Sequence, residues 1–121
     1  MQIIDIRCKL PSLNEYVAEC KKDYRAAGRM VKQHEQLIMV QLSKMRKVKS
    51  PIHIHFQWHE KSRRRDKDNV AFGKKFILDA MQYAGKLPND NNRYIAGFSD
   101  GFDYGKAQGV TLMIKEEDNE L

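Results

Sequence analysis

The sequence has few of the features that mark secreted, zinc-finger or membrane-spanning proteins. It contains only two cysteines, Cys8 and Cys20, and three prolines in 121 residues. The two cysteines form neither a metal-ligand nor a redox spacing, which favours a reduced chain. No stretch approaches the ~20 apolar residues of a bilayer span, and no basic segment followed by an apolar run comes after Met1. We therefore expect a soluble cytoplasmic protein with no membrane partner.

The chain also lacks internal repeats and low-complexity linkers, so we expect one domain over residues 1–121. Period-two alternation of apolar and polar residues is typical of half-buried strands. It predicts four strands, over residues 2–9, 52–59, 93–98 and 110–115.

Two helical regions separate these strands. The first begins after Ser12, the predicted N-cap, and runs towards Met45, with Gly28 as the expected break. The second is capped by Asp68 or Asn69, and ends before a glycine at position 85. We predict an α+β fold: a mixed sheet of about four strands with helices packed on it.

Lysines and arginines outnumber aspartates and glutamates, 22 to 16, and the formal net charge is +6. Lysines and arginines are concentrated between residues 21 and 49 and again between 61 and 65. This excess favours an anionic partner, although many basic proteins bind no nucleic acid. Charge alone therefore does not decide whether the protein binds nucleic acid.

Three histidines, His53, His55 and His59, occupy the polar side of the second predicted strand. Alternate histidines on a strand can bind zinc or copper, and His34 or an aspartate could supply a further ligand. No third ligand with suitable spacing occurs in the sequence. We prefer a polar strand face that contacts DNA or a dimer partner, with pH-sensitive binding.

In the most informative segment, three arginines directly precede two closely spaced aspartates. Arg63, Arg64 and Arg65 precede Asp66 and Asp68, and a further acid returns after a helical pattern, at Asp90. Cations attract a phosphate backbone, while carboxylates repel it unless metal ions lie between them. The combination indicates a metal-dependent nuclease.

This segment resembles the RusA-type Holliday junction resolvases, whose motif reads Arg-Arg-Asp-x-Asp-Asn, then a helix with a lysine and an Asp-Ala step, then Ala-Gly and another acid. Asp66, Asp68 and Asn69 match the first part, 79–80 the Asp-Ala step and Asp90 the last acid. The resemblance covers about the central third of the chain. It implies a homodimeric, magnesium-dependent endonuclease for branched DNA, with Mn²⁺ as a substitute metal.

The N-terminal segment 10–16 also resembles a phage-like branch of this family. In this interpretation Asp66, Asp68 and Asp90 hold the metal. Asp66 and Asp68 would point to one side of an extended segment, and Asp90, across the helix, would complete the cluster. The alternative is that Asp-x-Asp-Asn caps a helix and that 89–92 is an ordinary turn.

The catalytic lysine has two candidates. Counting forward from Asp68 to the family's lysine position gives Phe72, whereas counting back from Asp79 gives Lys75. Lys75 is favoured because it lies close to the helical face of Asp68. Lys74 is a second candidate because a lysine is unusual within an apolar arc. A simple surface pair between Lys75 and Asp79 is the alternative without function.

Arg63, Arg64 and Arg65 are expected to contact phosphates, and paired incisions of a four-way junction fit a twofold dimer. Two other functions stay open. One is a DNA-binding protein of the same fold without catalysis. The other is an RNA-binding or RNA-processing protein, which the lack of an aromatic-rich single-strand signature disfavours.

Overall fold

The computed structural model describes residues 1–117, so the acidic tail residues from Asp118 onward lie outside the described part. Helices follow the first and second strands, as the sequence pattern predicts. The elements are, in chain order, β1 (Gln2–Ile6), α1 (Leu13–Lys22), α2 (Tyr24–Gln41), β2 (Ile52–Glu60), α3 (Lys67–Ala71), α4 (Lys74–Tyr83), β3 (Ile95–Tyr104) and β4 (Gly109–Glu116).

The four strands form one mixed sheet in the order β1-β4-β2-β3. Strand β4 is antiparallel to both β1 and β2, whereas β2 and β3 are parallel. Parallel pairing requires a crossover connection, which α3 and α4 provide. The expected α+β fold with a mixed four-stranded sheet is confirmed.

Strand β2 organises the core because its side chains alternate strictly between two environments. Ile52, Ile54, Phe56 and Trp58 are each 3% exposed or less and pack beneath the helices. The intervening residues lie on the opposite face, which no described helix covers. The predicted alternation is confirmed, and it leaves one face of the sheet open and polar.

The parallel pair β2 and β3 has two distinct ends. Glu60 lies opposite Tyr104, where the chain leaves β2, and we call this the exit end. Ile52 lies opposite Ile95, where the chain enters β3, and we call this the entry end. The segment after β2 and the segment before β3 therefore lie at opposite ends of the sheet.

The helical region before β2 breaks at Asp23, so the prediction of a break at Gly28 is wrong. The Asp23 side chain accepts a hydrogen bond of 2.9 Å from the Arg25 backbone N–H, which caps α2. Gly28 lies inside α2. The N-cap at Ser12 is confirmed, because its Oγ accepts from the Glu15 N–H at 3.1 Å.

The single helix predicted after Asn69 is divided into α3 and α4 at Gly73, a buried residue. A Cβ on Gly73 would lie 3.0 Å from Leu10 Cδ1 and 3.2 Å from a Trp58 ring carbon. A larger residue would require these side chains to shift by a few tenths of an ångström. Strand β3 extends to Tyr104, six residues beyond the predicted end at position 98.

Candidate active site

Asp66 and Asp68 lie at the exit end, where β2 passes into α3. Asp66 occupies the N-cap position with φ −66° and ψ 153°, but its side chain makes no capping hydrogen bond. Asp68 lies in the first turn of α3. Asn69 Oδ1 instead accepts a bond of 3.1 Å from the backbone N–H of Asn14. Side-chain capping therefore does not account for the two aspartates.

Both carboxylates are exposed, and neither has a hydrogen bond or an ion pair to another side chain within residues 1–117. This holds although Arg65 precedes Asp66 and Lys67 separates the two acids. The expectation of one extended segment is wrong for Asp68, since Lys67–Ala71 is helical. Two carboxylates without partners amid cations are available to bind a cation from solution.

Cations at the exit end contact aromatic residues of β3. The guanidinium carbon of Arg63 lies 4.1 Å from the ring centre of Tyr104, and Lys67 Nζ lies 5.9 Å from that of Phe102. Arg64 is exposed and has only a weak bond, of 3.4 Å, from its backbone N–H to Ser62 Oγ. Arg63, Arg64 and Lys67 together form the exposed cations, a group that can face an anionic ligand.

Arg65 differs from its two neighbours because it serves the fold. Its side chain is 15% exposed, and it donates to both carboxylate oxygens of Glu60 at 2.8 and 3.0 Å. It also donates to the carbonyl of Leu10 at 2.8 Å and to Glu15 at 3.4 Å. Glu60 is 4% exposed and accepts a further bond from Gln108. Most hydrogen-bond donors of Arg65 are thus bound to groups of the protein itself, whereas the sequence led us to expect a contact with phosphate.

This ion pair fixes the chain beside the two aspartates. Glu60 is the last residue of β2, and Arg65 immediately precedes Asp66. A buried charge is tolerated when it is paired and hydrogen-bonded, as Glu60 is. The pair holds residues 61–65, which we call the exit segment, against the sheet. It thereby fixes the position of Asp66 at the start of α3.

Asp90 lies at the entry end. The carbonyl of Asn91 accepts bonds from the N–H groups of Tyr94 at 3.1 Å and Ile95 at 2.9 Å, which hold this turn against the start of β3. Ile95 and Phe102 are both residues of β3, and their separation is about 23 Å at ~3.3 Å per residue. One chain therefore does not bring Asp90 to Asp66 and Asp68. Accordingly, the described residues contain no group of three His, Cys, Asp or Glu side chains suited to a metal ion.

The two lysines of α4 face different neighbours. Lys74 Nζ lies 3.0 Å from Asp100 Oδ2 and 4.7 Å from the ring centre of Phe98. Lys75 is 63% exposed and lies 3.7 Å from Asp79. The packing of Lys74 against β3 explains a lysine in the apolar arc. Lys75 forms the surface pair that was the alternative to a catalytic role, and neither lysine bonds to Asp66 or Asp68.

The histidine face carries a hydrogen-bonded network. His59 Nδ1 donates to Asp103 at 2.7 Å, and its Nε2 lies 2.8 Å from Thr111 Oγ1. The His59 bond lowers the pKa of Asp103. His34 does not join this face, because its Nδ1 bonds the carbonyl of Met30 within α2. These contacts describe a polar strand face with defined internal partners.

Sequence reasoning missed Glu60, although a signal was present. Glu60 lies two residues after Trp58 and continues the alternation of β2, which places its carboxylate at a core position. A buried carboxylate requires a cationic partner, and an arginine run follows within five positions. Lys67, between the two aspartates, was not predicted as part of the site, although it continues the basic run of the three arginines.

No protein-family model matches the chain, and no curated protein matches it significantly. Within residues 1–117, none of the helices has both the length and the apolar character that crossing a bilayer demands.

Proposed function

We propose that this protein is a magnesium-dependent endonuclease for branched DNA, of RusA type, that acts as a twofold dimer. The observation that carries the proposal is the state of Asp66 and Asp68. Both are exposed and have no side-chain partner, although cations surround them in sequence. Exposed aspartates are common on protein surfaces, but two that stand close together at a helix start, among cations and without a side-chain capping bond, are suited to bind a metal ion.

The exposed cations Arg63, Arg64 and Lys67 supply the affinity for DNA in this proposal. Their charges lie at the same end of the sheet as the two aspartates, and the whole chain carries a net charge of +6. Each phosphate contact releases condensed counterions and strengthens binding without regard to sequence. Arg65 contributes indirectly, by holding the exit segment through Glu60.

The donor set fits Mg²⁺, which commonly binds through one or two carboxylates, water and substrate phosphate. Asp66 and Asp68 would hold the ion. When bound, the metal supplies an activated water and neutralises charge on the scissile phosphate. The exposed cations would orient the flanking phosphates, and Lys75, the more exposed α4 lysine, would stabilise charge on the leaving group.

Dimerisation gives Asp90 a role that one chain does not offer. Asp90 lies at the entry end, about 23 Å along β3 from the exit end. A twofold axis that runs the two β3 strands in opposite directions brings the entry end of one chain beside the exit end of the other. The partner's Asp90 would then join Asp66 and Asp68, and the dimer would contain two such sites.

The test is cleavage of a synthetic mobile four-way junction by the protein, with and without Mg²⁺. We expect paired symmetric cuts that require the metal and that disappear in Asp68→Asn, while junction binding is retained or strengthened. The matched control is Asp5→Asn, an exposed aspartate on β1 at the far edge of the sheet. Binding without metal-dependent cutting would favour a non-catalytic DNA-binding protein, and preference for RNA would favour the RNA-processing alternative.

A further inference from the structure

The helices carry an open apolar groove far from the histidine face. Its volume is about 570 Å³, and its lining comes from α1, α2 and α4. Cavities of 300 to 1,000 Å³ with mostly apolar walls are typical of small-molecule sites. The main side chains around it are Tyr16, Cys20, Tyr24, Val31, Met39 and Tyr83.

Two tyrosines that line the groove are exposed to solvent. Tyr24, at the start of α2, is 75% exposed. Tyr83 at the end of α4 is 71% exposed. Exposed aromatic residues that border an apolar cavity are characteristic of binding surfaces.

One acid at this groove lacks a partner. Glu35 of α2 is 7% exposed, lines the groove, and makes no hydrogen bond or ion pair within the described residues. No polar side-chain atom in that part of the chain is both sealed from solvent and without a partner, so the Glu35 carboxylate keeps some contact with solvent. A carboxylate with no protein partner, on a largely buried residue that lines an apolar groove, is available to pair with the charged group of a ligand.

We propose that this groove binds an organic cation, an ammonium or guanidinium group carried on an aryl or alkyl body, with Glu35 as its counter-ion. The apolar walls would take the body of the ligand, and tyrosine rings favour nearby cations. The proposal does not require nuclease activity, because the groove lining does not include Asp66, Asp68 or Lys75. Lys75, the lysine proposed for catalysis, lies near Glu35 but outside this lining.

The charged groups around Glu35 largely offset one another or are screened, so Glu35 itself provides the preference for a cation over a neutral ligand. From α4, Lys75 and Asp79 face Glu35, but they lie 3.7 Å from one another and largely offset each other's charge. From α2, Lys32 lies at the groove and is exposed, so solvent screens it. From α1 come only neutral groups, the Tyr16 hydroxyl and the Cys20 thiol.

Binding should also depend on pH. Burial, and then the Asp79 carboxylate, raise the pKa of Glu35 above its ordinary value of 4.5. A cationic ligand prefers the ionised carboxylate, so its affinity should rise with pH through the titration of Glu35. A ligand held by apolar contacts alone would not show this rise.

The experiment is an NMR titration of the whole ¹⁵N-labelled protein with phenethylammonium chloride, and in parallel with neutral 2-phenylethanol. We expect amide shifts confined to groove residues such as Cys20, Gly28 and Val31, with the cation bound about tenfold more tightly, the effect of one added charge-assisted hydrogen bond. Glu35→Gln should remove this preference. Glu117→Gln, which removes an acid near His53, should retain it.

Three results would overturn the proposal. Equal affinity for the cation and the alcohol would show that Glu35 is not a counter-ion, and absence of shifts at the solubility limit would show that the groove is not a site. Groove shifts that depend on protein concentration without either probe would show that a second copy covers it. Glu35→Gln removes a buried charge and is expected to fold, so its spectrum is interpretable.

Discussion

Nζ of Lys74 lies 3.0 Å from Oδ2 of Asp100, and this pair fixes the lysine against the edge strand β3. Nε1 of Trp58 donates to the other oxygen of the same carboxylate at 2.9 Å. Lys74 also lies over the rings of Phe56 and Phe98. Its neighbour Lys75 has only an exposed partner. Adjacent lysines on one helix thus have different physical roles.

Lys74→Ala should act through stability. Loss of this charged hydrogen bond and of the packing of the lysine stem, which is 20% exposed, should lower the free energy of unfolding by about 1 kcal/mol, which urea unfolding will measure. Lys75→Ala should leave stability nearly unchanged and slow single-turnover junction cleavage by about a hundredfold, at equal junction affinity. Normal cutting by Lys75→Ala would remove this lysine from the proposed mechanism.

Arg65 and Arg64 should differ in the same way, the first in its effect on stability and the second in its effect on DNA binding. Arg65→Ala leaves Glu60 buried without its cation and should cost about 3–5 kcal/mol of unfolding free energy. Arg64→Ala should change stability by less than about 0.5 kcal/mol. It should instead reduce the slope of log affinity against log salt by about 0.9, for any DNA sequence. A destabilised Arg64→Ala with an unchanged slope would contradict this assignment.

Local signals in the sequence predict much of the fold, whereas long-range contacts determine the rest. The alternation of β2 and the cap at Ser12 depend on neighbouring residues and are confirmed. The close packing at Gly73 involves Leu10 and Trp58, which are distant in sequence. The position of Asp90 depends on the parallel pairing of β2 with β3, and periodicity carries no information about strand direction.

Glycine substitutions should distinguish close packing from helix propensity. Gly73→Ala places a Cβ against Leu10 and Trp58 and should lower the free energy of unfolding by about 1–3 kcal/mol. Gly28→Ala meets no atom within 4 Å inside α2 and should raise it by up to about 1 kcal/mol. Denaturant unfolding of both variants checks the pair, and equal effects would show that Gly73 is not needed for packing.

Glu35→Gln should stabilise the protein in a pH-dependent way. Because the folded-state pKa of Glu35 is raised above 4.5, the folded protein keeps this proton when the unfolded chain has lost it. The free energy of unfolding therefore falls as pH rises from about the ordinary value through the raised pKa. The gain in free energy of unfolding of Glu35→Gln over wild type should be absent below this pH range and constant above it. A difference that does not vary with pH would contradict a raised pKa.

The most direct measurement concerns a shared site built from Asp66 of one chain and Asp90 of its partner. Asp66→Asn and Asp90→Asn chains are each expected to be inactive alone, and they are mixed, refolded together and tested for Mg²⁺-dependent nicking of a four-way junction. Half of the sites in a mixed dimer would then combine an unaltered Asp66 and Asp68 with an unaltered Asp90 from the other chain. We predict that mixing restores single-strand nicking. Failure to restore it, with wild type active and mixed dimers demonstrated, would contradict a site shared between two chains.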